Sequence, residues 1–177
     1  MVIMKRLITM AMALLATSVT MAAEPPEPKE LPATIDARVK SLSERGDALA
    51  ERQHYRKAIA TYRQAWELLP EPKQEWDAAL WLLAAIGDAN FLDDDYAACR
   101  DNFSAAMHLP GAIGNPFLHL RLGQCQYELG NMARAEDELA RAYIPAGKAI
   151  FELDDPKYLT FIKSKLQPPP QGWPEGW

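Results

Sequence analysis

Strand-type alternation of apolar and polar residues is missing from this chain, which removes sheets from the expected architecture. Cysteine is nearly absent: Cys99 and Cys125 are the only two. No disulfide framework or cysteine-rich metal site can therefore organise the fold. The three histidines, His54, His108 and His119, stand far apart without metal-ligand spacing. There is no glycine-rich phosphate loop and no serine-elbow motif. Positive charge is also in deficit, with 19 Lys and Arg against 24 Asp and Glu and a formal charge of −5. That argues against a general nucleic-acid binder, which needs net positive surface to displace counterions. Nothing calls for a metal or another cofactor.

What is present begins with a distinctive N-terminus. MVIMKR supplies Lys5 and Arg6, LITMAMALLATSVTM carries no charge, and Thr20 and Ala22 precede Glu24 at small-residue spacing. This is the layout of a secretory signal peptide over residues 1–22, cleaved after Ala22. The alternative, a single membrane anchor, meets an apolar run that is short for a stable span. Removal leaves 17 basic residues against 24 acids, a formal charge of −7. The expected location is periplasmic or secreted. That compartment is oxidising, so a disulfide between Cys99 and Cys125 is open, though sequence does not show that they meet. Residues 23–34, with EPPEPKELPA, read as a proline-rich extended spacer. Residues 35–166 read as helical throughout. Residues 167–177, QPPPQGWPEGW, read as an extended tail with two aromatic anchors.

Within the helical region one skeleton occurs three times. A glycine comes first, at Gly46, Gly87 and Gly123. Twelve residues later stands a small residue: Ala58, Cys99, Ala135. Four further on is a large apolar one: Tyr62, Phe103, Leu139. Three beyond that is alanine: Ala65, Ala106, Ala142. Pro70 and Pro110 close the first two units. Two antiparallel helices approach closely only where small residues face the crossing. The glycine on the first helix and the small residue on the second supply that gap. Spacings of three and four then continue one face of the second helix.

This pattern resembles the tetratricopeptide repeat, in which helix-turn-helix units stack into a superhelix with a concave groove. The matching segments are Val39–Pro70, Leu80–Pro110 and Pro116–Ala142. The second-helix half matches well. The first-helix half departs from the family pattern: its tryptophan position holds Leu42, Leu83 and His119, and its aromatic position Leu49, Asn90 and Gln126. Glycine spacings of 41 and 36 imply insertions between the units. The resemblance implies an all-α fold of three such hairpins, stacked as a short right-handed solenoid. Lys157, Lys163 and Lys165 beside Tyr158, Leu159, Phe161 and Ile162 fit a C-terminal capping helix. Glu71-Pro72, Asn115-Pro116 and Asp155-Pro156 place proline at first helical positions, and Asn131 and one of Asp93–Asp95 can cap second helices. The apolar stretch with Trp76, Trp81, Leu82, Leu83 and Ile86 is the expected centre of the stack.

The residue types that could do chemistry each have a plainer reading. Cys125 lacks a catalytic signature, with His119 the nearest histidine, and reads as packing or a disulfide. Cys99 takes the place of alanine and reads as a small core residue. Asp93-Asp94-Asp95 lacks the alternation and glycine of a calcium loop, and reads as a turn at a helix N-terminus. Glu136-Asp137-Glu138 reads as a solvated helix face. No catalytic or metal-binding set emerges. What the family resemblance implies instead is a partner groove along the first helices. Its offsets fall on Lys40, Ser43, Asp47 and Ala50, on Trp81, Ala84, Asp88 and Phe91, and on Phe117, Leu120, Gln124 and Tyr127. Several of these, above all Trp81 and Leu120, read equally as core.

Three function classes compete. The first is a non-catalytic protein-binding module. The segment from Asn115 to Trp173 resembles small bacterial tetratricopeptide proteins encoded beside polymorphic toxins, which implies an immunity protein that binds and blocks a cognate toxin. The second is a secretion chaperone or a periplasmic envelope scaffold; type III chaperones share this size but work in the cytoplasm, against the signal peptide. The third, an enzyme, finds no support in the residues. The expected partner is another protein or peptide, not nucleic acid.

Overall fold

The computed structural model describes residues 29–168 and 170–172. The expected signal peptide and the tail tryptophans Trp173 and Trp177 lie outside them. Among the described residues the regular structure is helical: α1 (Ala33–Glu51), α2 (Tyr55–Glu67), α3 (Asp77–Leu92), α4 (Tyr96–Ala106), α5 (Pro116–Glu128), α6 (Met132–Ala146) and α7 (Pro156–Lys163). Two 3-10 turns, Lys73–Glu75 and Gly147–Phe151, precede α3 and α7. Each helix from α1 to α6 packs on the next; α3 also touches α5, and α7 closes against α6. This is a stack of three hairpins with a terminal helix.

The repeated glycines explain the hairpins, with one correction. A Cβ on Gly46 would run into the Tyr62 ring, one on Gly87 would fall 2.7 Å from Phe103, and one on Gly123 2.7 Å from Leu139 Cγ. The glycine therefore makes room for the large residue sixteen positions on, not for the small one twelve on. The small residues Ala58, Cys99 and Ala135 have their own reason: all three are completely buried.

The turns inside the hairpins share a geometry too. Each is three residues long, and its middle residue is left-handed: Gln53 (φ 60°), Asp94 (φ 60°) and Gly130 (φ 78°). The residue after it returns its amide to the helix just ended, from His54 to Leu49, Asp95 to Asn90 and Asn131 to Gln126, at 2.8–2.9 Å. This six-residue closure satisfies carbonyls that a helix end leaves open. Only the third turn uses glycine, the residue that adopts this conformation without steric cost.

The irregular glycine spacing comes from longer helices on either side of the first link, not from a longer link. Both inter-hairpin links, Leu68–Trp76 and Met107–Asn115, are nine residues long. The extra five residues lie in the helices: two at the end of α2 and three at the start of α3. Pro116 and Pro156 open their helices as expected, with Asn115 and Asp155 accepting from the amides of Phe117 and Lys157. Pro72 does not. It leads the 3-10 turn, and α3 starts five residues later. Asp95 caps α4 through the Ala98 amide. Asn131 makes no such cap; its side-chain amide donates to Gln126 Oε1. The end of the spacer is docked: Leu31 is buried, and Lys29 exchanges backbone hydrogen bonds with Glu75 and Asp77.

Cys99 on α4 and Cys125 on α5 form a disulfide with a Cα separation of 6.2 Å. It staples the second hairpin to the third, and both residues are fully buried. The centre of the stack is shared. α3 buries Leu82, Leu83 and Ile86 but leaves part of its surface open, while α5 buries every residue from Leu118 to Gln126 except Arg121.

Candidate functional site

The first helices of the hairpins line an open groove. One cavity of about 410 Å³ lies between α1, α3 and the start of α5, walled by Leu80, Trp81, Ala84, Leu92 and Phe117 with Tyr62 at its back. A second, of about 350 Å³, lies between α1 and α3. Asp47, Asp77 and Trp81 line both. Trp81 and Asp77 sit four residues apart on α3 and so share a face.

Trp81 is 43% exposed although its helix is otherwise the apolar middle of the stack. Its ring meets Tyr62 edge-on, with centroids 5.9 Å apart. The Tyr62 hydroxyl donates to Asp47 Oδ1 at 2.7 Å. Burial, and then Asp47, push the Tyr62 phenol well above its usual pKa, so it remains a donor. Trp81 is thus held by a buried ring that is itself anchored to a groove carboxylate. Leu92 and Phe117, also exposed, extend the apolar wall.

The expected groove residues divide. Lys40, Asp47, Trp81, Asp88 and Phe117 are at least partly exposed along the first helices. Lys40 pairs with Asp36 at 2.8 Å. Ser43 is buried, its hydroxyl donating to the Val39 carbonyl. Gln124 has no exposed surface; its Oε1 accepts from Arg121, and its Nε2 has no hydrogen-bond partner among the described residues. Phe91 is half-buried beneath Arg121. Tyr127 packs edge-on against Tyr158 and Phe161 of α7 at 5.4 and 5.1 Å, so the terminal helix covers it. Leu120 is core. The accessible surface therefore belongs to the first two hairpins and the entry of α5.

Arg121 closes the third hairpin's end of the groove, at a position that no repeat offset marks. Its guanidinium bonds Asp88 Oδ1 and Asp154 Oδ1, each at 2.5 Å, and Gln124 at 2.8 Å. It also stacks over Phe91 at 4.7 Å and Phe117 at 5.5 Å. Burial would lower its pKa, but Asp88 and Asp154 more than offset that and hold it above its usual value. Asp154 arrives from the turn before α7. The only sequence hint is an arginine set within the buried stripe of α5.

The candidate chemical residues are all engaged in structure. Cys125 is bonded to Cys99. His119 Nδ1 lies 2.7 Å from Glu138 Oε2 and its Nε2 2.9 Å from the Ile113 carbonyl, so thiol and imidazole are not a pair. Glu138 is therefore buried, where a solvated face was expected for all of Glu136-Asp137-Glu138. Asp93 pairs with Arg56, Asp94 accepts from Tyr96, and Asp95 caps α4. Among the described residues no helix is long and apolar enough to cross a membrane.

No protein-family model matches the chain, and no curated protein matches it. Solved structures do. The C-terminal tetratricopeptide-repeat domain of a Plasmodium falciparum protein assigned as FK506-binding is 13% identical, with a TM-score of 0.58 over 73% of this chain and 87% of that one. The second such domain of human RPAP3, in complex with the HSP70 peptide SGPTIEEVD, is 17% identical, with a TM-score of 0.55 over 75% and 99%. The Yersinia enterocolitica type III secretion chaperone SycD, in complex with a peptide of the translocator YopD, is 16% identical, with a TM-score of 0.56 over 71% and 90%. The chain thus has the fold of tetratricopeptide-repeat domains, an all-α stack of helical hairpins.

Proposed function

We propose that this chain is a non-catalytic protein-interaction module that binds a segment of another protein along the α1–α3–α5 groove. The observation that carries this is the exposure of Trp81, locked in place where two adjoining cavities meet. A rigid aromatic residue in a pre-formed cleft binds at low entropic cost and is a common anchor of interfaces. Peptide complexes of the RPAP3 domain and SycD support the reading, since both share the fold.

The more specific role we propose is immunity: an exported protein that binds and neutralises a cognate bacterial toxin in the periplasm. The signal-peptide pattern of residues 1–22 and a disulfide, which persists in oxidising compartments, support the location. Fractionation with mass measurement tests it: a periplasmic product starting at Ala23 is expected, and a full-length cytoplasmic one removes it. Co-expression with the product of the adjacent gene tests the activity. Protection from toxicity that Trp81→Ala abolishes is expected; no toxicity and no complex would remove immunity. A secretion chaperone or an envelope scaffold is the second reading, favoured by the likeness to SycD.

A further inference from the structure

The charge of the groove restricts what can lie in it. Five carboxylates line the two cavities: Asp36, Glu44, Asp47, Asp77 and Asp88. Among the described residues the one lining cation is Lys40, already paired with Asp36. Asp88 is matched by Arg121. Glu44, Asp47 and Asp77 form no ion pair among the described residues. Asp47 is held by a neutral phenol, and Asp77 accepts from the backbone amide of Ala78. Asp47 and Asp77, neither in a direct ion pair although Lys40 lies within electrostatic reach of Asp77, are the residues that share both cavities with Trp81.

We infer that the groove takes a cationic, partly apolar segment of a partner polypeptide, seating a lysine or arginine side chain on the Trp81 indole beside Asp47 and Asp77. An indole face attracts a cation through its quadrupole, and neighbouring carboxylates add a charge-assisted contact. Leu80, Ala84, Leu92 and Phe117 then receive an adjacent apolar side chain. An acidic peptide such as that bound by the RPAP3 domain meets like charge here. With residues 1–22 removed as proposed above, the chain's own flanking segments are poor occupants for the same reason: residues 24–28, EPPEP, and 173–177, WPEGW, carry glutamate and no lysine or arginine.

This inference rests on the groove being the binding surface, and its test separates the two. Short labelled peptides are titrated into the chain by fluorescence anisotropy: leucine alternating with arginine, with glutamate, or with serine. The arginine peptide is expected to bind. The double variant Asp47→Asn/Asp77→Asn should weaken it by about tenfold or more, and Trp81→Ala similarly. A control with the same charge change on α6, Glu136→Gln/Asp137→Asn, should weaken it by less than about threefold. Asparagine at 47 still accepts from Tyr62, so the double variant keeps its fold, which circular dichroism verifies. Equal loss in the control and groove variants would overturn the inference, because binding would then follow net charge alone. Tighter binding of the glutamate or serine peptide, still abolished by Trp81→Ala, would overturn the charge preference and leave the groove reading standing. If no peptide binds, both fail.

Discussion

Replacing Gly87 by alanine tests the packing logic of the repeat directly. The new Cβ would lie 2.7 Å from Phe103 Cε2 and 2.8 Å from Cδ2. Carbon atoms normally rest about 3.5–4.0 Å apart, so the ring must retreat by roughly 1 Å. Phe103 has no exposed surface, and its ring meets Phe117 edge-on at 6.2 Å, so there is little room to retreat. Overpacking of this kind costs about 1–3 kcal/mol. Alanine in a helix interior recovers about 1 kcal/mol over glycine. The expected net effect is a destabilisation of about 1 kcal/mol. The more discriminating measurement is a double-mutant cycle with Phe103→Ala, which alone costs about 3–5 kcal/mol. All three close contacts of the added Cβ are with the Phe103 ring. In the Phe103→Ala background Gly87→Ala should therefore stabilise, by about 1 kcal/mol. The coupling energy is then about 2 kcal/mol, with the sign of the alanine effect reversed. Urea unfolding followed by circular dichroism reads all four proteins, provided the denaturant slope is shared. Gly114→Ala, where no atom lies within 4 Å, is the neutral reference. Alanine effects equal in both backgrounds to within about 0.5 kcal/mol would refute the reasoning.

Gln53→Gly should stabilise by about 0.5–1 kcal/mol, because Gln53 holds a left-handed turn position that the third hairpin fills with glycine; an unchanged or lower urea midpoint counts against the shared turn. Reducing the Cys99–Cys125 disulfide, whose ends are 26 residues apart in sequence, should cost about 3.5 kcal/mol of stability by chain entropy. Coincident unfolding midpoints with alkylation showing both thiols free would contradict that. Arg121→Met leaves Asp88 and Asp154 without their cation and should cost about 2–4 kcal/mol, less than a fully buried pair because Asp88 is partly exposed; Arg121→Lys should recover less than half, since an ammonium cannot fork between two carboxylates. At high pH the tyrosines should set the limit of stability. Hydrogen bonding to Asp94 pushes Tyr96 up to about 12, and burial together with Asp47 and Glu128 raises Tyr62 and Tyr158 further. Their folded-state values exceed the unfolded value of about 10, so their contribution is complete below that pH and is lost as pH rises through about 12 and beyond. A tyrosinate absorbance titration in which all tyrosines ionise together near the unfolded value would rule this out.

Why some features could be read in advance and others not has a physical explanation. The repeat was legible because Gly87 and Phe103 must meet at a fixed helical offset, and the same geometry recurs at Gly46 with Tyr62 and Gly123 with Leu139. Local caps at Asn115 and Asp155 were legible because each involves residues two apart. At Asn131 the cap does not form; its side chain instead donates its amide to Gln126, five residues back on the preceding helix. The groove was harder. Offsets placed Gln124 and Tyr127 on it by analogy with the first two units. Yet α7 packs over Tyr127, and Arg121, tied to Asp154 from beyond the repeats, holds the buried Gln124.

The sequence by itself determined the all-helical hairpins and their number, because those follow from periodicity and short-range contacts within each unit. Tertiary structure alone decided which residues of the first helices stay open. It left Trp81 exposed between Asp47 and Asp77, joined Cys99 to Cys125, and brought Asp88 and Asp154, 66 residues apart in the chain, onto one arginine. Exposure at a position depends on what packs over it from distant segments, and no local pattern carries that information.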